Sequence, residues 1–386
     1  MKIPFNKPYM TGKEPKYMLQ AYRKGQLSGN GIFTKKCHRW LEKNIGCEKA
    51  FLTHSCTTAL EMAAVLIDIR PGDEVIMPSY TFVSTANAFV LFGAKPVFVD
   101  IRPDTLNLDE TKVAAAITPK TRAIVPVHYA GVSCEMDEII SAAEKYNLFV
   151  IEDAAHGILS SYKGRHLGSL GHLAALSFHE TKNIISGEGG ALLVNDASLK
   201  ERSAFIWEKG TNRINFFLGK VDKYTWVDKG SSYLPSELTA AFLWAQMEEA
   251  KSIITRRMEI WQCYHKAFQQ MEEQGLLRRP IVPGHCRHTA HMYYILLNDP
   301  AERKKILSYL GARGVGAIFH YIPLHLSVAG KRYARTCGDL KETEKLSQCL
   351  IRLPLWAGMK KKDVMLVIDS VYGAVRFVKR KKGLGK

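Results

Sequence analysis

A single lysine stands out in the stretch "ALSFHETKNIISGEGGALLVND", residues 175–196, because apolar runs lie on both sides of it. Lys182 would be poorly solvated there, and desolvation lowers the pKa of an ammonium group until the free amine can act as a nucleophile. Such an amine forms Schiff bases with carbonyl compounds. The commoner alternative is a lysine that extends to the surface. The glycines of "GEGG" allow the backbone to approach a ligand closely.

Two further positions carry chemistry of a related kind. Asp153 follows an apolar run in "VIEDAAHG", and a buried carboxylate requires a partner such as a cationic ring nitrogen or an arginine. It could equally cap the next helix. In "THSCTTALEMAAVL", residues 55–58 are small or hydroxyl-bearing and precede a helical pattern. Free N–H groups at such a helix start bind anions, although a plain N-cap explains these residues as well.

These three features together have one explanation. An anion cradle, an acidic partner for a ring nitrogen and an imine-forming lysine are the anchor points of pyridoxal phosphate. Phe82 in "MPSYTFVSTAN" and His156 in "EDAAHG" lie where a ring could be stacked and its oxygen contacted. We therefore expect a pyridoxal phosphate site.

The elements that would hold these residues alternate along the chain. Between residues 49 and 195, short β-rich runs such as "DEVIMPS", "KPVFVD" and "LFVIEDAA" alternate with helical patterns. This pattern predicts an α/β fold with a mostly parallel sheet sandwiched by helices, and ligands in such sheets bind beyond the carboxyl ends of the strands. We expect one or two helices in "LPSELTAAFLWAQMEEAKSIITRRMEIWQCYHKAFQQM".

We predict a large cofactor-binding domain over residues 1–250 with an N-terminal helical segment. A smaller C-terminal α+β domain would follow over residues 251–386, with "HMYYILL", "VGAIFHYIP" and "IRLPLW" as strands.

Composition excludes several classes of protein. The formal net charge is +17, but it is diffuse, and the dense run at residues 376–386 is typical of a solvated tail. No interleaved aromatic and basic motif accompanies it, so we expect an anionic substrate and no nucleic acid.

No apolar run is long enough for a membrane span, and eight scattered cysteines favour the cytoplasm. His285, Cys286, His288 and His291 have unsuitable spacing, so we expect no metal site.

The motifs resemble, in order and spacing, the DegT-type sugar-nucleotide aminotransferases, which are fold-type I pyridoxal phosphate enzymes. The resemblance extends over essentially the whole chain. The strings that carry it are "SCTTALEMA", "PSYTFVSTANA", "KPVFVDIRPDTLNLD", "IVPVHYAGVSCEMD", "VIEDAAHG", "SFHETKN", "GEGGALLVND", "GTNR", "KYTWVDKGSSYL", "QMEEA", "AHMYY" and "FHYIPLH".

The resemblance implies a role for each matching position. Lys182 would form the Schiff base, and Asp153 would pair with the pyridinium nitrogen. The ring contacts would be Phe82 over the face and His156 near the oxygen, and the phosphate contacts would be Thr57, Thr58 and Ser177. Ser232 in "GSSYLP" stands where members commonly have an asparagine that reaches the phosphate of the neighbouring subunit, and a serine hydroxyl can still donate one hydrogen bond.

The resemblance also implies the reaction. L-Glutamate would donate the amino group to the C4 ketone of a dTDP-linked 4-keto-6-deoxysugar, in a homodimer. Related deoxysugar dehydratases typically have histidine in place of the lysine, so Lys182 favours amino transfer. Candidate sugar or phosphate contacts, for which ordinary loop polarity is an equal alternative, are Lys209, Asn212, Arg213, His320 and His325.

Overall fold

The computed structural model describes residues 2–381, with side chains as far as residue 379. The strands, numbered along the chain, are β1 Lys49–Thr53, β2 Glu74–Pro78, β3 Lys95–Val99, β4 Thr121–Ile124, β5 Phe149–Asp153, β6 Ser161–Tyr162, β7 Arg165–His166, β8 Leu173–Ser177, β9 Gly190–Val194, β10 Cys286–Arg287, β11 Tyr293–Leu296, β12 Arg335–Thr336 and β13 Leu350–Leu353. The helices are α1 Glu14–Lys24, α2 Ile32–Ile45, α3 Cys56–Leu66, α4 Val83–Val90, α5 Val113–Ala116, α6 Met136–Lys145, α7 Lys200–Trp207, α8 Arg213–Phe217, α9 Glu237–Glu248, α10 Ala250–Ala267, α11 Gln269–Glu273, α12 Pro300–Ala312, α13 Val328–Tyr333, α14 Lys341–Cys349 and α15 Lys361–Lys381.

Eight strands form the central sheet in the order β1-β9-β8-β5-β4-β2-β3-β12. The pairings from β8 to β12 are parallel, and β9 runs antiparallel to both of its neighbours. Because β9 reverses direction between β1 and β8, β1 points the same way as the parallel strands. The predicted mostly parallel sheet is therefore present.

Alternate residues of the central strands enter different cores. In β8, Ala174 and Leu176 pack with α2 and α9, while Leu173 and Ala175 pack with α3 and α7. All five residues of β8 are buried. Helices therefore cover both faces of the sheet, which explains why the strands are almost continuously apolar.

The carboxyl ends of the parallel strands meet at one edge of the sheet. The loops that leave β1, β2, β5 and β8 there carry most of the residues that the sequence pattern selects. Asp153 is the last residue of β5, Ser177 is the last of β8, and Lys182 lies in the loop between β8 and β9. This edge is where ligands bind in open α/β sheets.

The C-terminal part has its own core, formed by α10, α12, α15 and the antiparallel pair β11–β13. Ile3 from the opposite end of the chain belongs to this core and pairs with Val315 in a parallel bridge. The predicted boundary at residue 250 coincides with the first residue of α10. The division into two domains remains a prediction.

Three local differences separate the sequence expectation from the structure. The stretch "VGAIFHYIP" is not a strand, since only isolated bridges at Val315 and Ile318 form and the segment then turns along the cavity described below. The long helical pattern divides into α9, α10 and α11. The basic run begins as the last turns of α15 rather than as a free tail, and its residues 382–386 lie outside the described residues.

Candidate active site

A cavity of about 600 Å³ opens at the carboxyl edge of the sheet. Its walls come from the central sheet, from β13 of the C-terminal part and from the N-terminal arm, which is the segment 2–13 before α1. Seven of the residues selected from the sequence line it: Thr57, Phe82, Asp153, His156, Ser177, Lys182 and His320. Residues more than 260 positions apart in the chain thus share one site.

Lys182 projects into this cavity, and the surrounding protein desolvates its ammonium group. Burial lowers the pKa of Lys182 to about 8, although the nearby Cys56 and Asp153 act in the opposite direction. Part of the side chain remains accessible from the cavity. A neutral amine is therefore available near physiological pH, as a Schiff-base lysine requires.

Asp153 is 5% exposed and faces the same cavity. Its Oδ2 accepts a hydrogen bond of 2.7 Å from the Thr85 hydroxyl, and its Oδ1 accepts one of 3.2 Å from the Ala155 N–H. Among the described residues no arginine or lysine lies within ion-pair distance of this carboxylate. Its charge is thus held by neutral donors and is free to pair with a cationic ligand atom.

The N-terminus of α3 forms the third corner of the cavity. Ser55 caps the helix, and Thr58 completes a capping box, so the Thr58 hydroxyl is engaged within the first turn of the helix. Thr57 instead lines the cavity and hydrogen-bonds to Ser84 at 2.7 Å. Gly190 permits the close approach of β9, because a Cβ there would lie 2.5 Å from the Cys56 nitrogen. The helix start, Thr57 and Ser177 offer donors to an anion.

Two further ring-bearing side chains, Phe82 and His156, line the cavity. Phe82 is 57% exposed at the N-cap of α4, and its ring is accessible from the cavity that it lines. His156 is buried and stacks on His291 with ring centroids 4.0 Å apart. Its Nδ1 has no hydrogen-bond partner, and burial together with Lys182 and Arg352 depresses its pKa far below the usual value. A neutral imidazole with an unused polar atom is suited to a ligand oxygen.

The other selected residues lie outside the cavity formed by this chain. His325 is held by Ser79 and by Glu344. Ser232 is exposed and bridges to Glu208. The remaining three lie between the end of α7 and the first residue of α8: Lys209, Asn212 and Arg213.

Several residues of the site escaped the sequence reasoning. Arg352 and Phe5 line the cavity, and Thr85 supports Asp153. His291 was considered only as part of a metal-like cluster. Of that cluster, His285 contacts Glu135 instead, and the described residues contain no group of three or more His, Cys, Asp or Glu side chains suited to a metal ion. An arginine inside the otherwise apolar "IRLPLW" was the available signal for Arg352.

Residues 8–372 match the DegT/DnrJ/EryC1/StrS aminotransferase family. The chain belongs to this family. It is 34% identical over 382 residues to the spore coat polysaccharide biosynthesis protein SpsC of Bacillus subtilis, covering 97% of each chain. It is 33% identical over 374 residues to the GDP-perosamine synthase of Caulobacter vibrioides, covering 96% of this chain and 97% of that one.

Solved structures give the same assignment for the fold. The pyridoxamine phosphate form of Spr1654 from Streptococcus pneumoniae, described as a putative sugar aminotransferase, superposes with a TM-score of 0.91 at 25% identity, covering 99% of this chain and all of that one. This DegT-family chain is thus a fold-type I, pyridoxal phosphate-dependent sugar aminotransferase. The residues present fit the cofactor, because the cavity joins a depressed-pKa lysine, a buried carboxylate and a helix N-terminus.

No helix in the described part of the chain combines the length and the apolar character needed to span a bilayer. The eight cysteines are all free thiols.

Proposed function

We propose that this DegT-family enzyme transfers the amino group of L-glutamate to the C4 ketone of dTDP-4-dehydro-6-deoxyglucose. The product would be dTDP-4-amino-4,6-dideoxygalactose, a precursor for cell-surface polysaccharide such as enterobacterial common antigen. The observation that carries the amino-transfer chemistry is the placement of Lys182 and Asp153 on one cavity. The sugar itself rests on the resemblance of the later motifs.

We assign the covalent attachment of pyridoxal phosphate to Lys182, the phosphate to the start of α3 with Thr57 and Ser177, and the ring face to Phe82. The bound cofactor supplies an aldehyde carbon that takes up the amino group and a ring that withdraws electrons. Lys182, once displaced by the donor amine, accepts the proton from the donor Cα and returns it during the second half of the reaction. A pKa of about 8 suits both directions of proton transfer near neutral pH.

Asp153 is assigned to the ring nitrogen, where it holds a proton in place. The hydrogen bond from Thr85 orients the carboxylate and stabilises its charge. Because the negative charge that develops on proton removal exists mainly in the transition state, this interaction favours turnover more than binding.

The named sugar is supported by particular strings. "KYTWVDKGSSYL", "AHMYY" and "FHYIPLH" most resemble dTDP-4-amino-4,6-dideoxygalactose transaminase. GDP-perosamine synthase, by its name, makes a different sugar nucleotide. The alternative substrates are therefore another nucleotide-linked ketosugar, such as a 3-keto sugar. The alternative product from the same 4-keto sugar is the gluco rather than the galacto aminosugar. A non-catalytic regulatory protein of this fold is disfavoured by Lys182 and Asp153.

We further propose a homodimer in the cytoplasm. The region 216–227 exposes several large apolar side chains, with Trp226 78% and Phe217 67% exposed. Burial of such a patch against a second copy removes apolar surface from water. This patch is preceded in the chain by Lys209, Asn212 and Arg213 and is followed by Ser232. These four residues would therefore meet the partner subunit. Free thiols suit a reducing compartment.

The test is a reaction of purified enzyme, loaded with pyridoxal phosphate, with L-glutamate and dTDP-4-dehydro-6-deoxyglucose. Proton couplings in the NMR spectrum of the product distinguish an axial from an equatorial amine at C4. A galacto product supports the proposal in full. If the enzyme consumes L-glutamate but leaves this sugar unchanged, the named substrate is wrong. If borohydride fails to label Lys182 in the loaded enzyme, the assignment of the lysine is wrong.

A further inference from the structure

We propose that Arg352 binds the α-carboxylate of the amino donor and so selects an amino acid as the source of nitrogen. This inference deepens the proposed function and rests on it. No motif in the sequence reasoning above selected this residue.

Arg352 is fixed in position by its strand. It lies in β13 opposite Tyr294 of β11, and its backbone exchanges hydrogen bonds with Ile318 at 2.7 and 3.1 Å. From there the side chain lines the cavity. The ring of Phe5 lies 4.6 Å from the guanidinium carbon and covers the guanidinium from the N-terminal arm. The planar guanidinium of Arg352 is therefore held between its own strand and the ring of Phe5.

The guanidinium lacks a partner within the described structure. Its Nε is buried without a hydrogen-bond acceptor, and no described carboxylate lies within ion-pair distance. Burial depresses the pKa of Arg352, and the neighbouring phenols Tyr129, Tyr321 and Tyr80 only partly oppose this. Because a desolvated cation without an anion is costly, the arrangement is suited to an anionic group that a ligand brings.

Other cavity residues show which end of the ligand Arg352 would meet. Its charge contributes to the lowered pKa values of Lys182, His156 and His320, whereas the pKa of the Cys56 thiol at the start of α3 responds to Asp153 and Lys182 without it. Arg352 therefore acts electrostatically on the reacting amine, and it does so from the cavity wall formed by β13 rather than from the start of α3.

Two anions could approach such a cation. The carboxylate of an α-amino acid is attached to the same carbon as the amine that reacts near Lys182. The diphosphate of a nucleotide-linked 4-ketosugar is attached at C1, across the sugar ring from the reacting carbon. Proximity to Lys182 thus favours the carboxylate, and the planar fork of arginine binds a carboxylate through two parallel hydrogen bonds.

The experiment separates the two half-reactions in the holoenzyme. Variants Arg352→Gln and Arg352→Lys are compared with wild type and with Arg278→Gln. Arg278 is a matched control, because it is also a partly buried arginine with unpartnered nitrogens next to β11, and it does not line the cavity. The donor half is followed by the spectral change of the pyridoxal phosphate form with L-glutamate. The sugar half starts from enzyme reconstituted with pyridoxamine phosphate and needs no amino acid.

We expect Arg352→Gln to lower the second-order rate constant for L-glutamate by about 10- to 100-fold, since a hydrogen-bonded charge pair is lost. Binding of 2-oxoglutarate to the pyridoxal phosphate form, measured by calorimetry, should weaken by a similar factor. Arg352→Lys should recover part of both losses. The sugar half and the Arg278→Gln control should stay within about threefold of wild type, as expected for sites that the substitution does not touch.

Three results would overturn the inference. Unchanged reaction with L-glutamate in a folded Arg352→Gln variant would exclude a role in donor binding. A selective loss in the sugar half would assign the guanidinium to the diphosphate. Equal losses in Arg278→Gln would indicate a general structural effect. By contrast, a wild-type enzyme that does not react with L-glutamate at all would overturn the proposed function itself.

Discussion

Replacing Lys182 with methionine should stabilise the cofactor-free protein at neutral pH. The reason is the desolvation of the ammonium group in the cavity, which lowers its pKa from 10.5 to about 8. Each pKa unit corresponds to 1.36 kcal/mol, so charged Lys182 costs about 3 kcal/mol of the free energy of unfolding. Part of the side chain faces the open cavity, and solvent reduces the expected gain to about 1–3 kcal/mol. Methionine has a similar length and leaves no large void.

The gain should depend on pH in one direction. Below about pH 8 the lysine is charged in the folded and unfolded states, so the full penalty applies. Between about pH 8 and pH 10.5 the unfolded chain binds more protons than the folded chain, and wild-type stability rises relative to the variant. Above about pH 10.5 the amine is neutral in both states and the advantage of methionine vanishes.

The assay is urea unfolding of the two cofactor-free proteins at about pH 7 and about pH 10, in buffers without phosphate that could bind the anion cradle. Lys251→Met on the exposed side of α10 is the control, and it should show no difference that depends on pH. A Lys182→Met protein that is equally or less stable at both pH values would refute the desolvation of Lys182.

Three other predictions concern different parts of the molecule. Asp153→Asn should reduce turnover by about 10²- to 10³-fold with the cofactor still bound, because a preorganised charge at the ring nitrogen is lost. Single-turnover kinetics measure this loss, and near-normal turnover would contradict the assignment of Asp153. Glu237→Ala should cost about 2–4 kcal/mol in urea unfolding, since this buried carboxylate accepts the N–H groups of Gly31, Phe33 and Thr34 at the start of α2. Trp226→Lys should shift the protein toward monomer in sedimentation velocity, and an unchanged dimer would exclude this patch from the interface.

The placement of Asp153 and Lys182 at the carboxyl edge of the sheet was predictable because both residues follow apolar strands. The strand that ends at Asp153 is apolar except for Glu152, so its carboxyl end could be placed near Asp153. Lys182 was recognisable for the same reason, since the apolar strands β8 and β9 lie before and after its loop. Ser55, Thr57 and Thr58 could be placed at a helix start, but only the coordinates show that Thr58 serves the capping box while Thr57 lines the cavity.

The part of the cavity around Arg352 could not be predicted in this way. Arg352 is one polar residue in an apolar strand, and its position on the cavity that also holds Lys182 depends on how β13 packs, which no local pattern records. The stretch around His320 has the composition of a strand, yet a single bridge to Arg352 replaces a ladder of hydrogen bonds. His325 lies five positions later and contacts Ser79 instead of the cavity. Tertiary context thus overrides propensity here.

The pairing of Ile3 with Val315 has a consequence for how the protein matures on the ribosome. The Ile3 N–H donates to Gly314, and the Gly316 N–H donates to Ile3, at 2.9 and 2.8 Å. Ile3 therefore waits for its partner until more than 300 further residues have been translated. The central sheet, complete through β9 at residue 194 apart from the short edge strand β12, can assemble long before that. The wall that contains Phe5 and Arg352 is thus the last part of the cavity to close, after the residues proposed to hold the cofactor are already in place.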